Sequence, residues 1–101
     1  MKHLFIVVLF FTASFAIAQI KMKGVVKDSI GTPLELANVI AINKATSALE
    51  SYAITNEKGN YTLSLGKNGT YKIQVSYIGL KTFETELTTK DAPITKDFTL
   101  L

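Results

Sequence analysis

The stretch Ser51 to Leu65, SYAITNEKGNYTLSL, constrains the fold of this chain more than any other. Tyr52 and Ile54 alternate with Ala53 and Thr55, and Tyr61, Leu63 and Leu65 alternate with Thr62 and Ser64. Alternation of period two in residues rich in Tyr, Thr, Leu and Ile marks half-buried strands. Between them, Asn56-Glu57-Lys58-Gly59-Asn60 is turn chemistry. The Asn56 side chain can accept a backbone N–H two residues on, and Gly59 can take positive φ without a Cβ clash. The stretch predicts two short strands joined by a tight turn. A lone hairpin is marginally stable, so further strands must cover its apolar face.

The first eighteen residues stand apart from that fold. Lys2 and His3 form a positive start, Leu4 to Phe11 is an uninterrupted apolar run, and Ala16-Ile17-Ala18 places small residues where a signal peptidase reads. Cleavage before Gln19 is expected. A membrane anchor would need about 20 predominantly apolar residues, and this run holds Thr12 and Ser14. Residues 1–18 are therefore read as a signal peptide and 19–101 as one domain. No cysteine follows, so neither a lipid anchor on sulfur nor a disulfide is available, and the apolar core must suffice.

Without Lys2, ten lysines face eight acids, a net charge of +2, and the chain has no arginine. The lysines are spread over strands and turns, mixed with Glu and Asp. A nucleic-acid surface would cluster them; a solvated surface with mixed charge is the expectation.

Taken in order, Ile20 to Asp28 alternates Ile20, Met22 and Val26 with lysines, and Gly24 within it suggests a bulge or a close backbone approach. Asp28 to Gly31 is a turn, and Pro33 ends regular pairing. Leu36 to Asn43 is apolar on both faces, as a central strand would be. Lys44 to Glu50 is a polar crossover. After the Ser51–Leu65 pair, Thr70 to Ile78 is the longest strand, Gly79 marks a bend, Lys81 to Thr88 sets Phe83 and Leu87 opposite Glu84 and Glu86, and Lys96 to Leu101 is the last strand. Seven short strands with turns between them and no helical period predict an all-β, immunoglobulin-like sandwich.

Chemistry is sparse. The one histidine is His3, so beyond the leader there is no His, Cys, Arg or Trp. A zinc site needs imidazole or thiolate, and a nucleophile needs a base beside it. No catalytic residue, metal or cofactor is expected. Glu84 and Glu86 share a strand face, which reads as a solvated surface. Asp28 and Asp91 lie in loops without the six to eight oxygens calcium takes. Asn60-Tyr61-Thr62 and Asn68-Gly69-Thr70 match a glycosylation acceptor pattern but read as turn residues. Asp28-Ser29-Ile30 matches a low-specificity acceptor triplet for O-glycosylation. Alternation places Tyr61, Tyr71, Tyr77, Phe83 and Phe98 on the core side, leaving Tyr52 and Ile78 as candidates for exposure.

Four motifs follow one another in order: Lys23-Gly24-Val25-Val26-Lys27-Asp28, Gly31-x-Pro33-Leu34-x-x-Ala37-Asn38-Val39, Thr55-Asn56-x-x-Gly59-x-Tyr61 and Val75-Ser76-Tyr77-Ile78-Gly79-Leu80. In this the chain resembles the carboxypeptidase regulatory-like domain, a transthyretin-like sandwich, over essentially all of residues 19–101. Asn56 stands where that family usually has Asp, and Leu80 where it usually has an aromatic residue; both keep the local role. The resemblance implies a non-catalytic accessory domain in the envelope of a Gram-negative bacterium, periplasmic or at the outer membrane. Such domains commonly precede the plug and barrel of TonB-dependent receptors. A protein partner in the envelope is then expected, with no nucleic acid and no membrane span after cleavage. The alternative is a small secreted module binding a carbohydrate or peptide.

Overall fold

The computed structural model describes residues 19–101. The expected signal peptide and its cleavage residues Ala16 and Ala18 lie outside the described residues; Gln19 opens the first strand.

Two sheets face each other. In the first, β1 (Gln19–Asp28) lies between β4 (Asn60–Gly66), antiparallel to it, and the short strands β7 (Ile94–Thr95) and β8 (Phe98–Leu100), both parallel to it. The second has the order β3 (Leu49–Ile54), β2 (Asn38–Asn43), β5 (Thr70–Ser76), β6 (Phe83–Thr88), antiparallel throughout. The all-β sandwich is as expected, with eight strands rather than seven. The extra one arises because the final strand is broken. At Lys96–Asp97 the chain bows, and the Asp97 carboxylate takes the Val25 N–H at 2.9 Å in place of a backbone carbonyl.

The core fills with the inward residues of both sheets: Ile20, Met22 and Val26 of β1, Tyr61, Leu63 and Leu65 of β4, Val39 and Ala41 of β2, Tyr71, Ile73 and Val75 of β5, with Phe98 and Leu100 of β8. Fully burying one such large apolar side chain contributes about 1.5–3 kcal/mol. Two buried threonines close the ends. Thr55 donates to the Leu34 carbonyl at 2.6 Å and accepts the Ala37 N–H at 2.8 Å. Thr89 donates to the Gly66 carbonyl at 2.6 Å and accepts the Gly69 N–H at 2.9 Å. Each hydroxyl is satisfied both as donor and as acceptor, so burial carries little penalty.

Several expectations are corrected. The Ser51–Leu65 stretch does not form a hairpin: β3 and β4 belong to different sheets, and the turn between them is an arch across the sandwich. The hairpin lies where a crossover was expected. β2 and β3 pair directly, closed by the Asn43 N–H to Ala48 carbonyl bond at 2.9 Å. Leu36 is not in β2. It and Ala37 together oppose Thr55, with Leu36 N–H to Thr55 carbonyl at 3.1 Å and Thr55 N–H to Ala37 carbonyl at 3.0 Å. This is a bulge that holds Leu36 at φ 65°. At Pro33 only an isolated bridge to Lys27 is made, outside any strand.

Phe83 is 41% exposed rather than a core residue. It starts the edge strand β6 and only leans on the Phe98 ring, with centroids 5.8 Å apart. Tyr77 is half-buried against the core.

Candidate functional site

The turn residues singled out in the sequence build the arch. Asn56 Oδ1 accepts the N–H groups of Lys58 and Asn60, both at 3.0 Å, and the Asn56 carbonyl accepts the Gly59 N–H at 2.9 Å. Gly59 sits at φ 77°, and its carbonyl takes the Val26 N–H at 2.9 Å, so the turn is stitched onto β1. A Cβ there would lie 2.6 Å from the Val26 carbonyl oxygen. Gly79 has φ 82° in the Tyr77–Leu80 turn, closed by Leu80 N–H to Tyr77 carbonyl at 3.1 Å; it leaves Ile78 90% exposed. These are structural positions. Gly24 is a close approach: a Cβ would run into the Lys96 carbonyl, which also accepts the Tyr61 hydroxyl. Burial of the phenol, and secondarily the Asp97 charge, push Tyr61 well above the usual phenol range.

The carboxylates do not converge. Glu86 pairs with Lys44 at 2.6 Å and Glu84 lies 3.5 Å from Lys72, all about half-exposed. Asp28 caps its own loop, accepting from Ile30 at 3.1 Å and Thr32 at 2.9 Å. Among the described residues no three His, Cys, Asp or Glu side chains gather as a metal site would need, and no helix is long and apolar enough to cross a membrane. Asn43, Glu50, Tyr71 and Gly66 make one polar cluster. Tyr71 hydroxyl donates to the Glu50 carboxylate and accepts the Gly66 N–H at 2.9 Å, while Asn43 Nδ2 donates to Glu50 at 3.2 Å. The Tyr71 bond holds the Glu50 carboxyl below its usual range against partial burial; burial first, then Glu50, raises Tyr71. The cluster ties β2, β3, β4 and β5 together.

What remains is a surface. Paired residues share a sheet face, so the register sets out rows on the outer face of the second sheet. One row runs Tyr52, Ile40, Gln74, Glu84; the next runs Leu49, Ile42, Lys72, Glu86. Each row is apolar on β3 and β2 and turns polar or charged on β5 and β6. Tyr52 is 66% exposed, as the sequence indicated, and Ile54 and Leu49 are each 55% exposed. Leu36, beside Thr55, is 68% exposed. Ile54, Leu49 and Leu36 were missed. The signal was the small-residue alternation Ser51, Ala53, Thr55, which is the inward one. These exposed apolar side chains lie on β3 or, for Leu36, beside its end.

Among solved structures, the chain is similar to chlorocatechol 1,2-dioxygenase from Pseudomonas putida, at 12% identity and TM-score 0.63, covering 81% of this chain and 59% of that one. It is also similar to the dioxygenase domain of a dioxygenase carbohydrate-binding protein fusion from Streptomyces sp. SirexAA-E, at 13% identity and TM-score 0.64, covering 87% and 82%. The Bacillus anthracis TIE protein matches at 17% identity and TM-score 0.57, covering 83% of this chain and 16% of that one. At such identities the likeness is one of fold, and the chain spans 59% and 52% of the lengths of the first two dioxygenases it matches. No curated protein matches. The carboxypeptidase regulatory-like domain family matches residues 21–101, nearly all of the described sandwich, and the chain belongs to that family.

Proposed function

We propose that this domain is a non-catalytic accessory module of an exported envelope protein, and that it works by protein–protein contact through the outer face of β3 and β2. The observation that carries this reading is the two-toned face. Tyr52, Ile54 and Leu49 are exposed together on an edge strand, while the rows of Tyr52 and Leu49 end in Gln74 and Glu84, and in Lys72 and Glu86, on β5 and β6. Leu36 supports it, since at φ 65° most of its side chain stands in water and adds nothing to the core. The partner in this reading is the plug or barrel of a TonB-dependent outer-membrane receptor, or a component recruited with it, in the periplasm or at the outer membrane. The signal-like leader and the family's usual setting support that location. The absence of imidazole and thiol from residues 19–101 supports a role without catalysis or cofactor.

The second reading, a secreted glycan- or peptide-binding module, draws on the exposed ring of Tyr52. Sugar sites usually stack on several aromatic faces, and the other rings pack inward or at the core's rim. Amide NMR spectra of the processed protein titrated with a panel of polysaccharides separate the two. The accessory reading predicts unchanged spectra. Saturable shifts around Tyr52 and β3 would replace it with the glycan-binding reading.

A further inference from the structure

The outer edge of β3 is open. Thr55 directs both its N–H and its carbonyl to the Leu36–Ala37 segment. In an antiparallel pair the direction alternates, so Ala53 and Ser51 also face β2, while the backbone groups of Tyr52 and Ile54 point away. No strand among the described residues pairs with that side. The neighbouring edge of β4 is treated differently: Ser51 Oγ takes the Ser64 N–H at 3.2 Å and Tyr71 hydroxyl takes the Gly66 N–H at 2.9 Å. The β6 edge carries Glu84 and Glu86. From Ser51 to Thr55 there is no charge at all, whereas exposed edges are usually blunted by charge, proline or bulges. Here a register irregularity beside Glu50 and the turn at Asn56 only frame the open window, and Ala53 is its midpoint.

We infer that this window pairs antiparallel with the same window of a second copy, about a two-fold axis through Ala53. That register sets Tyr52 of each copy opposite Ile54 of the other, an aromatic against a β-branched side chain on the outer face, which is a favourable cross-strand pair. It sets Glu50 opposite Asn56, so no like charges meet. Moving the register by one pair in either direction draws the irregular Glu50 or the turn residue Asn56 into the ladder. Each four-stranded sheet then continues into the other, and the apolar halves of the two outer faces join at the seam. A contact through one strand edge is far smaller than the about 1,200–2,000 Å² of a stable complex, so the dimer is weak and forms at high protein concentration. The inference concerns the chain alone and stands apart from export or any receptor.

The chain has no cysteine, so introduced thiols report the register directly. Tyr52→Cys and Ile54→Cys, both at exposed positions, are oxidised singly and as an equimolar mixture, using the processed protein. Opposed residues lie about 5.5 Å apart between Cα atoms, within disulfide reach. Like residues are offset by two positions and fall beyond the about 7 Å limit. The mixture should yield covalent dimer several-fold above either variant alone. Equal cross-linking in all three, or none in any, overturns the inference. In sedimentation velocity the unmodified protein should show a dimer fraction that rises with concentration and that Tyr52→Lys abolishes. A monomer up to millimolar concentration, or a dimer indifferent to Tyr52→Lys, overturns it as well.

Discussion

The Ser64 N–H donates to the Ser51 hydroxyl across 3.2 Å, although Ser51 lies on β3 and Ser64 on β4, in different sheets. Two strands adjacent in sequence thus meet side by side without sharing a ladder. Farther along the same flank the Tyr71 hydroxyl bridges Gly66 and Glu50, so side chains close the flank of the sandwich where a hairpin would have used backbone. Folding the chain over at Asn56–Gly59 turns the Tyr61, Leu63 and Leu65 face toward Val39, Ile73 and Val75, and leaves Tyr52 and Ile54 outside.

Replacing Gly59 by valine should destabilise the domain by about 1–3 kcal/mol, because a β-branched residue is strained at positive φ. The added Cβ would also press on the Val26 carbonyl from 2.6 Å. Urea midpoints of the two proteins measure this. Equal midpoints would mean that the arch does not hold Gly59 in the left-handed conformation.

Thr55→Val keeps the shape of the side chain but strips the Leu34 carbonyl and the Ala37 N–H of their partner. Leaving buried polar groups unmade costs about 1–3 kcal/mol. Thr55→Ser, which keeps the hydroxyl, should lose less. Equilibrium unfolding of both variants gives the order, and faster hydrogen exchange at the Ala37 amide in the valine variant locates the effect.

The Glu50 carboxyl is lowered below its ordinary range, first by the Tyr71 hydroxyl. A carboxylate with a folded-state pKa below its unfolded one stabilises the fold above the unfolded value, and that contribution disappears as pH falls through the folded value. The stability gap between the native protein and Glu50→Gln should therefore be present at neutral pH and close on acidification below the usual carboxylate range. Tyr71→Phe should narrow the gap at neutral pH. Denaturant titrations at pH 7 and in acid measure both, and a gap that widens in acid would contradict the bond.

Large inward residues made β1, β4 and β5 readable, because Ile20, Met22, Leu63, Leu65, Ile73 and Val75 all alternate with polar neighbours. β3 is harder to read for the opposite reason. Its inward positions, Ser51, Ala53 and Thr55, are small where the arch brings β4 close, and its large apolar residues point out. Strand partners were not legible at the two turns. Asn43 accepts from Ala45 at 2.8 Å much as Asn56 accepts from Lys58 at 3.0 Å, yet one turn closes a hairpin and the other an arch. Local turn chemistry sets the reversal of the chain and leaves the choice of sheet to packing. Of the candidate surface, Tyr52 was legible by its phase. Leu36 was not, since its position depends on a bulge formed with a residue nineteen places on.

Leu36→Gly should change stability by about 1 kcal/mol or less, since relief of the left-handed φ is offset by the freedom glycine gains when unfolded. Contact through the β3–β2 face should nevertheless weaken. Unfolding midpoints and partner cross-linking, measured on the same variant, report the two effects separately. A large loss of stability would show that Leu36 serves the fold.

The contact surface itself is tested most directly by placing a photo-cross-linking residue in living cells, at Tyr52 in one protein and at Thr62, exposed on the outer side of β4, in another. The Tyr52 probe should capture a defined envelope polypeptide other than a second copy of this chain, and the Thr62 probe should not. Equal capture at both positions, or no polypeptide adduct at Tyr52, would contradict the proposal that this domain works by protein contact through the outer face of β3 and β2.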